Sequence, residues 1–425
     1  LVKETIHKIN GMKKSWMGFL GLLMAACGAG NPNKQLADGI WQAKLHRADG
    51  ADIVFNFEVK DTAGKKVLFV LNANDRLLVD DVKLQGDSLF IKMPFFDSEF
   101  KAVLSSDSAA KGVWIRHLAD KDVSVPFSAI AGQAERFPVA QKATVDVSGR
   151  WVTQFVSPTD KDKAPSLAIG EFKQTGDLVH GTFLTTTGDY RFLEGAVSGD
   201  TLKLSTFDGS HAYLFTARVA KDSIANGVFY AGIGDGLQYF SAVRNDTAKL
   251  PDERTLATMK PGQTKLDFTF PDLNGNKVSI NDDRFKNKVV IITLMGSWCP
   301  NCMDETGFLS KWYDKNKDRG VEVIGLAYER TTDFEKSKKS LEGFLKRFDV
   351  KYPVLITGVT PADPEKGEKT LPQLTGIKGF PTTIFINKKG EVAEVHTGFS
   401  GPGTGEHYEQ FQSDFNRLVT QLLAN

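Results

Sequence analysis

The chain has 425 residues, with 53 Lys and Arg against 52 Asp and Glu, a formal net charge of +1 at pH 7 and 41% hydrophobic content. That length exceeds what one hydrophobic core serves, so two or three domains are expected. The balanced charge excludes a dedicated nucleic-acid binder, which needs a basic excess, and no apolar run reaches the length of a membrane-spanning helix.

At the start, Met12-Lys13-Lys14 is a short positive region and Trp16 to Ala26 an apolar one, ending in Met24-Ala25-Ala26-Cys27. That layout is a secretory signal rather than a span. Met12 is the expected start, with Leu1 to Gly11 an upstream extension. Small residues before a cysteine resemble the bacterial lipobox, which implies that Cys27 is diacylated and becomes the mature N-terminus. The competing reading is a plain cleaved signal with an incidental cysteine. Of the 3 Cys in the chain, lipidation of Cys27 leaves two in the folded part. Such economy fits an oxidising, extracytoplasmic compartment.

After a polar linker (Gly28 to Ala37), short alternating runs begin. Trp41, Ala43 and Leu45 are one set; Ile53, Phe55, Phe57 and Val59 another. Turn residues such as Gly64, Asn72 to Asp75 and Gly86-Asp87 separate them. Many short strands of this kind predict an antiparallel barrel or sandwich over residues 38–140. The pattern then returns over residues 147–246. Gly39-x-Trp41 comes back as Gly149-x-Trp151, Gly86-Asp87-Ser88-Leu89 as Gly199-Asp200-Thr201-Leu202, and Phe127-Ser128-Ala129 as Phe240-Ser241-Ala242. Nearly constant spacing between the copies indicates a duplication. The units resemble small lipocalin-like barrels. Neither half holds a cysteine or an evident acid–base constellation, so their expected work is spatial: spacing the last domain from the membrane, or docking a partner.

Arg244 to Thr264 reads as a linker to the last domain, residues 260–425. A hairpin across Asn274-Gly275 is expected first. Strands follow at Val289–Met295, Val321–Ala327 and Tyr352–Ile356, with helices from Cys299 to about Arg319 and from Phe334 to Phe348. A second hairpin (Thr382–Ile386, Glu391–Thr397) and a helix (Glu406–Leu423) close the chain. The buried run at Val289–Met295 feeds directly into Trp298-Cys299-Pro300-Asn301-Cys302. A Cys at a helix N-terminus meets free backbone N–H groups that favour its thiolate, and a second Cys one turn on can displace it from a mixed disulfide. Pro300 suits the first helical turn. Half of a structural zinc site is the alternative, but no second ligand pair stands in the sequence, so no metal is expected.

With Gly379-Phe380-Pro381-Thr382-Thr383 before a strand and Asn387-Lys388-Lys389-Gly390 in the next turn, this region resembles the TlpA-like branch of the thioredoxin superfamily. The overall fold class expected is therefore multidomain, a duplicated all-β region followed by an α/β thioredoxin-like domain. The resemblance implies a thiol–disulfide oxidoreductase without cofactor, Cys299 as nucleophile and Cys302 as resolving thiol. It implies a cis Pro381 facing the sulfurs, and Trp298, Pro300 and Phe380 in contact with substrate. Glu305 matches the acidic residue this branch carries after its cysteines and would move the Cys302 proton; the alternative is an exposed carboxylate beside Asp304. Gly307 departs from the branch, which has proline there.

The resemblance further implies reduction of protein disulfides in the periplasm, a membrane electron donor, and lipid anchoring in the envelope with the outer membrane favoured. A peroxiredoxin is the nearest enzymatic rival, but Pro-x3-Thr-x2-Cys is not written before either cysteine. A ligand- or partner-binding lipoprotein with a vestigial dithiol is the rival from another class. Gly398 to Gly405 lacks the Gly-Lys-Ser/Thr of a phosphate cradle and, like Ala231 to Gly236, reads as a turn.

Overall fold

A computed structural model describes residues 34–118, 121–160, 164–232 and 236–425. The signal region with Cys27, and part of the Ala231 to Gly236 turn, lie outside the described residues.

The first β unit is a meander of β1 (Gly39–Leu45), β2 (Ile53–Thr62), β3 (Lys65–Asn72), β4 (Asp75–Val79), β5 (Asp81–Gln85), β6 (Ser88–Lys92), β7 (Ser98–Ser106), β8 (Ala109–His117) and β9 (Asp122–Ala131). β9 returns to pair with β1. β4 pairs with β3 and β5 with β6, so the single residue Asp80 between them carries the sheet round. The result is barrel-like. The second unit comprises β10 (Gly149–Val156), β11 (Ser166–Thr175), β12 (Leu178–Thr185), β13 (Gly188–Asp189), β14 (Leu193–Ser198), β15 (Thr201–Phe207), β16 (Ala212–Val219), β17 (Ser223–Ala231) and β18 (Leu237–Arg244). Here β11 pairs with β12 and β18 with β10, which closes the ring.

Alternation explains both rings, because inward positions bury and outward ones stay wet except where the barrels meet, as at Val54 and Ser205. The repeated Gly-x-Trp also has a structural meaning. The Trp41 indole donates to Ala37 O at 2.9 Å and the Trp151 indole to Val147 O at 2.8 Å, so each copy hooks its first strand to the residue four positions back. The barrels are not separate beads. Phe207, at the end of β15, enters the core of the first barrel and stacks on Phe55 at 4.2 Å between ring centroids.

The last part begins with the hairpin β19 (Thr269–Pro271) and β20 (Lys277–Ser279). It continues as β21 (Val289–Met295), α1 (Pro300–Asn316), β22 (Val321–Ala327), α2 (Phe334–Arg347), β23 (Val354–Ile356), α3 (Lys366–Thr370), β24 (Thr382–Ile386), β25 (Val392–Thr397) and α4 (Glu406–Ala424). The sheet order is β23-β22-β21-β24-β25, parallel for the first three and antiparallel thereafter, a thioredoxin-like arrangement. All seven residues of β21 are buried, as a strand covered on both faces requires. Val289, Ile291 and Met295 face a core shared with α1, α2 and α4. Val290, Ile292 and Leu294 face the opposite core, with Phe268, Leu371 and Leu374.

This thioredoxin-like part is docked on both barrels, and Lys34–Asn425 forms one unit. Phe95, in the β6–β7 turn, stacks on Phe348 at 5.2 Å, and Arg347 donates to Leu78 O at 2.9 Å. His407 of α4 meets Glu171 of β11 at 3.0 Å. The β region, expected to space the last domain from the membrane or to dock a partner, is thus packed directly against that domain.

Candidate active site

The end of β21 delivers the chain to the sulfurs. Cys299 is the N-cap of α1 in extended conformation, and Pro300 opens the helix. Cys299 Sγ accepts from the Cys302 N–H at 3.3 Å, and its S–H donates to Phe380 O at 3.6 Å. Both cysteines are free and buried. The Phe380–Pro381 bond is cis. The Trp298 indole donates to Tyr328 O at 2.8 Å and meets the Phe380 ring edge-on at 5.7 Å, so Trp298, Phe380 and Pro381 stand together around Cys299.

Burial pushes the Cys302 thiol well above its ordinary value, with Cys299 adding to the shift. A proton held this firmly needs a base before the sulfur can attack. Glu305 lies one turn further along the same face of α1. It is 1% exposed, so the exposed-carboxylate alternative does not hold. Its two oxygens accept from the hydroxyls of Thr293 and Thr383, which face each other across β21 and β24. Burial raises it to about 7, with the two hydroxyls pulling the other way. A carboxyl that titrates near neutrality can both take and return a proton.

This shift has a measurable consequence. Glu305 holds its proton in the folded state up to about 7, whereas its ordinary value is 4.5. The unfolded chain therefore binds fewer protons between those values, and stability falls as pH rises through that window. The loss amounts to roughly 3 kcal/mol. Glu305→Gln should flatten this slope in urea unfolding measured from pH 4.5 to 8. Asp304, which burial raises to about 6 against the pull of Arg191, supplies a residual slope in the same window. An unchanged slope in the Gln variant would contradict the assignment.

The second barrel reaches into this site, which the sequence did not foretell. Its β12–β14 connection, Thr186 to Arg191, lies against the active-site loops. With its amide turned to satisfy both groups, Asn301 of Cys-Pro-Asn-Cys donates to Asp189 O at 3.2 Å and accepts from Asp189 N at 3.3 Å. Asn301 packs so close to Gly188 that no Cβ fits there, and Gly188 also has φ +143°. A Cβ on Gly398 would likewise collide with the backbone of Thr186 and Thr187, so the glycine-rich loop read as a turn is also a contact surface. Asp189 accepts from Gly401 N at 2.9 Å.

Beside this contact, Arg191 pairs with both oxygens of Asp304 on α1, at 2.9 and 3.1 Å. It also lies 3.5 Å from Asp208 of the second barrel and 3.8 Å from Asp75 of the first. One buried guanidinium thus joins all three parts. Burial pushes Asp208 up, but His211 and Arg191 override it and hold this carboxyl below its usual range. Among the described residues, no group of three or more His, Cys, Asp or Glu is placed to hold a metal ion. The barrel mouth leaves a cavity of about 550 Å³ facing Pro300 and Asn301, with Tyr190, Tyr213 and Thr206 in its wall.

A buried strand, a dithiol at a helix N-terminus and a cis-proline loop across the sheet define a thioredoxin-fold dithiol protein. Residues 260–410 match the Redoxin family model. Thiol-disulfide oxidoreductase ResA of Bacillus thuringiensis subsp. konkukian is 30% identical over 153 residues, covering 36% of this chain and 77% of that protein. Its Bacillus subtilis counterpart is 26% identical over 141 residues, 33% of this chain and 69% of that one. Among solved structures, a thiol:disulfide interchange protein of the thioredoxin family from Chlorobium tepidum is 22% identical, with TM-score 0.30, covering 39% of this chain and 99% of that one. A thiol-disulfide oxidoreductase from Bacteroides fragilis is 20% identical, with TM-score 0.27, covering 35% and 99%. The chain belongs to the thiol–disulfide oxidoreductase family.

Proposed function

We propose that this enzyme is a disulfide reductase of the cell envelope that works through Cys299 and Cys302. The observation that carries this reading is the placement of Cys299 Sγ, between the Cys302 N–H and the carbonyl of the cis-proline loop. The Cys299 thiolate attacks one sulfur of a substrate disulfide. That S–S bond breaks, and one half leaves as a thiolate. Glu305 takes the Cys302 proton, and Cys302 then attacks Cys299 Sγ and frees the second half. The substrate gains two electrons and two protons, and the protein is left with a Cys299–Cys302 disulfide. Trp298, Pro300 and Phe380 form the rim against which substrate lies, and Pro381 keeps the facing loop in register.

The substrates proposed are protein disulfides of the periplasm, and a membrane electron donor restores the dithiol. Residues 1–27 act as extension and signal, and lipidation of Cys27 anchors the chain, with the outer membrane favoured. Residues 38–140 and 147–246 are proposed as two domains and residues 260–425 as the third. The test is insulin reduction by the full chain with dithiothreitol as electron source. The reading predicts catalysed precipitation of the insulin B chain; a rate no faster than dithiothreitol alone would overturn it.

A further inference from the structure

Between the first barrel and the thioredoxin-like part lies a second cavity, of about 380 Å³. Trp298, the residue before Cys299, forms part of its wall, and the Phe95–Phe96 turn forms another. Its charges are unbalanced. Lys92, Arg116, Arg330, Lys336 and Lys339 face only Asp97 and Glu329. Glu329 is already committed, accepting from Ser297 N at 2.8 Å and from Ser297 Oγ at 2.7 Å.

The two arginines come from different parts of the molecule. Arg116 is the last residue but one of β8, and its Nη2 donates to Ser210 Oγ at 3.0 Å. Its Nε is buried, with no acceptor among the described residues. Arg330 follows β22 and lies over the Trp298 ring, 5.2 Å from the centroid. No ion pair with either arginine, Lys336 or Lys339 is formed among the described residues. Burial lowers the pKa of both guanidinium groups, and for Arg116 the neighbouring Arg330 adds to the effect. Asp208 acts on Arg116 and Glu329 on Arg330, but neither forms an ion pair with its arginine, so two like charges withdrawn from water beside one another favour an anion that completes the site. The volume is that of a small-ligand pocket.

We infer that this cleft binds a carboxylate carried next to the reacting sulfur, so that the enzyme selects acidic disulfides. The inference rests on the disulfide-reductase reading and adds its substrate class. The carboxylate pairs with Arg116 and Arg330 while the attached S–S bond is presented past Trp298 to Cys299. Two sources share this chemistry: a low-mass peptide disulfide with free carboxylates, and a glutamate beside the cysteine of a protein segment.

The experiment is single-turnover reduction by the fully reduced full chain, so no further reductant is needed. Three disulfides with similar S–S surroundings are compared: 3,3′-dithiodipropionate, 2-hydroxyethyl disulfide and cystamine. The anion should react fastest and the cation slowest, with roughly a tenfold preference for the anion over the neutral compound at low salt. In 1 M salt the preference should largely vanish. Arg116→Gln and Arg330→Gln should each cut the ratio of anionic to neutral rates several-fold, and the Lys variants should keep most of it, which separates lost charge from lost fold. Equal rates for all three compounds, or a preference unmoved in both Gln variants, would overturn the inference. No Cys299-dependent reaction with any of them would overturn the reductase reading itself.

Oxidised glutathione and a glutamate-flanked peptide disulfide, each beside its amidated form, distinguish the sources. The pair with the larger carboxylate effect is the source. No effect in either pair counts against the inference.

Discussion

Cys299→Ser should reduce insulin-reductase turnover by at least roughly a thousandfold, because no other group in the site can open the substrate disulfide. Cys302→Ser should also stop turnover, but at a later step. Cys299 still attacks, and the mixed disulfide then persists because nothing displaces it. The asymmetry follows from position. Cys299 caps α1 and accepts from a backbone N–H, whereas Cys302 is fully buried with its proton held firmly. Intact-mass measurement after exposure to a disulfide should find an adduct on Cys299 in the Cys302→Ser protein. More adduct on Cys302 in the Cys299→Ser protein would show the roles reversed.

Arg191→Met should destabilise the folded chain by about 3–5 kcal/mol, as expected when one partner of a buried pair is removed. Three carboxylates, Asp75, Asp208 and Asp304, would then lose the guanidinium they share, with His211 left beside Asp208. The arginine side chain is 11% exposed, so little solvent screening softens that loss. Arg218→Met is the control. Its pair with Asp200 has side chains 59% and 52% exposed and should matter by less than about 1 kcal/mol. Urea unfolding at pH 7 measures both. A loss below about 1 kcal/mol for Arg191→Met would mean that the three parts hold together without this ion cluster.

Much of the framework was legible because periodicity is local. The buried run at Val289–Met295 and the alternation of Ile53, Phe55, Phe57 and Val59 each carry a period readable within one strand. The duplication was legible because Gly39-x-Trp41 and Gly149-x-Trp151 serve the same hook in both barrels. Boundaries shifted where local chemistry intervened. The strand expected from Tyr352 begins at Val354, because Pro353 has no N–H for the ladder. α1 gives way after Asn316 to a tighter turn that ends at Gly320, φ +85°.

The contact between barrel and active site was not legible. Asn301 with Asp189, and Arg191 with Asp304, are single positions 112 and 113 residues apart, and no period connects them. Asp304 reads as one more acidic residue on a helix until the second barrel is placed against it. Phe207 breaks the alternation of β15: Leu202 and Leu204 face their own barrel's core, while Phe207, on the opposite face, belongs to the neighbouring barrel's core. The cationic cleft escaped notice for the same reason, since Arg116 and Arg330 converge only through docking.

The most direct measurement is a redox titration of the full chain against glutathione or dithiothreitol buffers, read by alkylation of free thiols. Cys299 and Cys302 acting as one couple for disulfide reduction predict a single two-electron transition, with a midpoint below about −200 mV. A midpoint near −120 mV would mark a disulfide-forming oxidant, and no shared transition would mean that the two cysteines are not a redox pair.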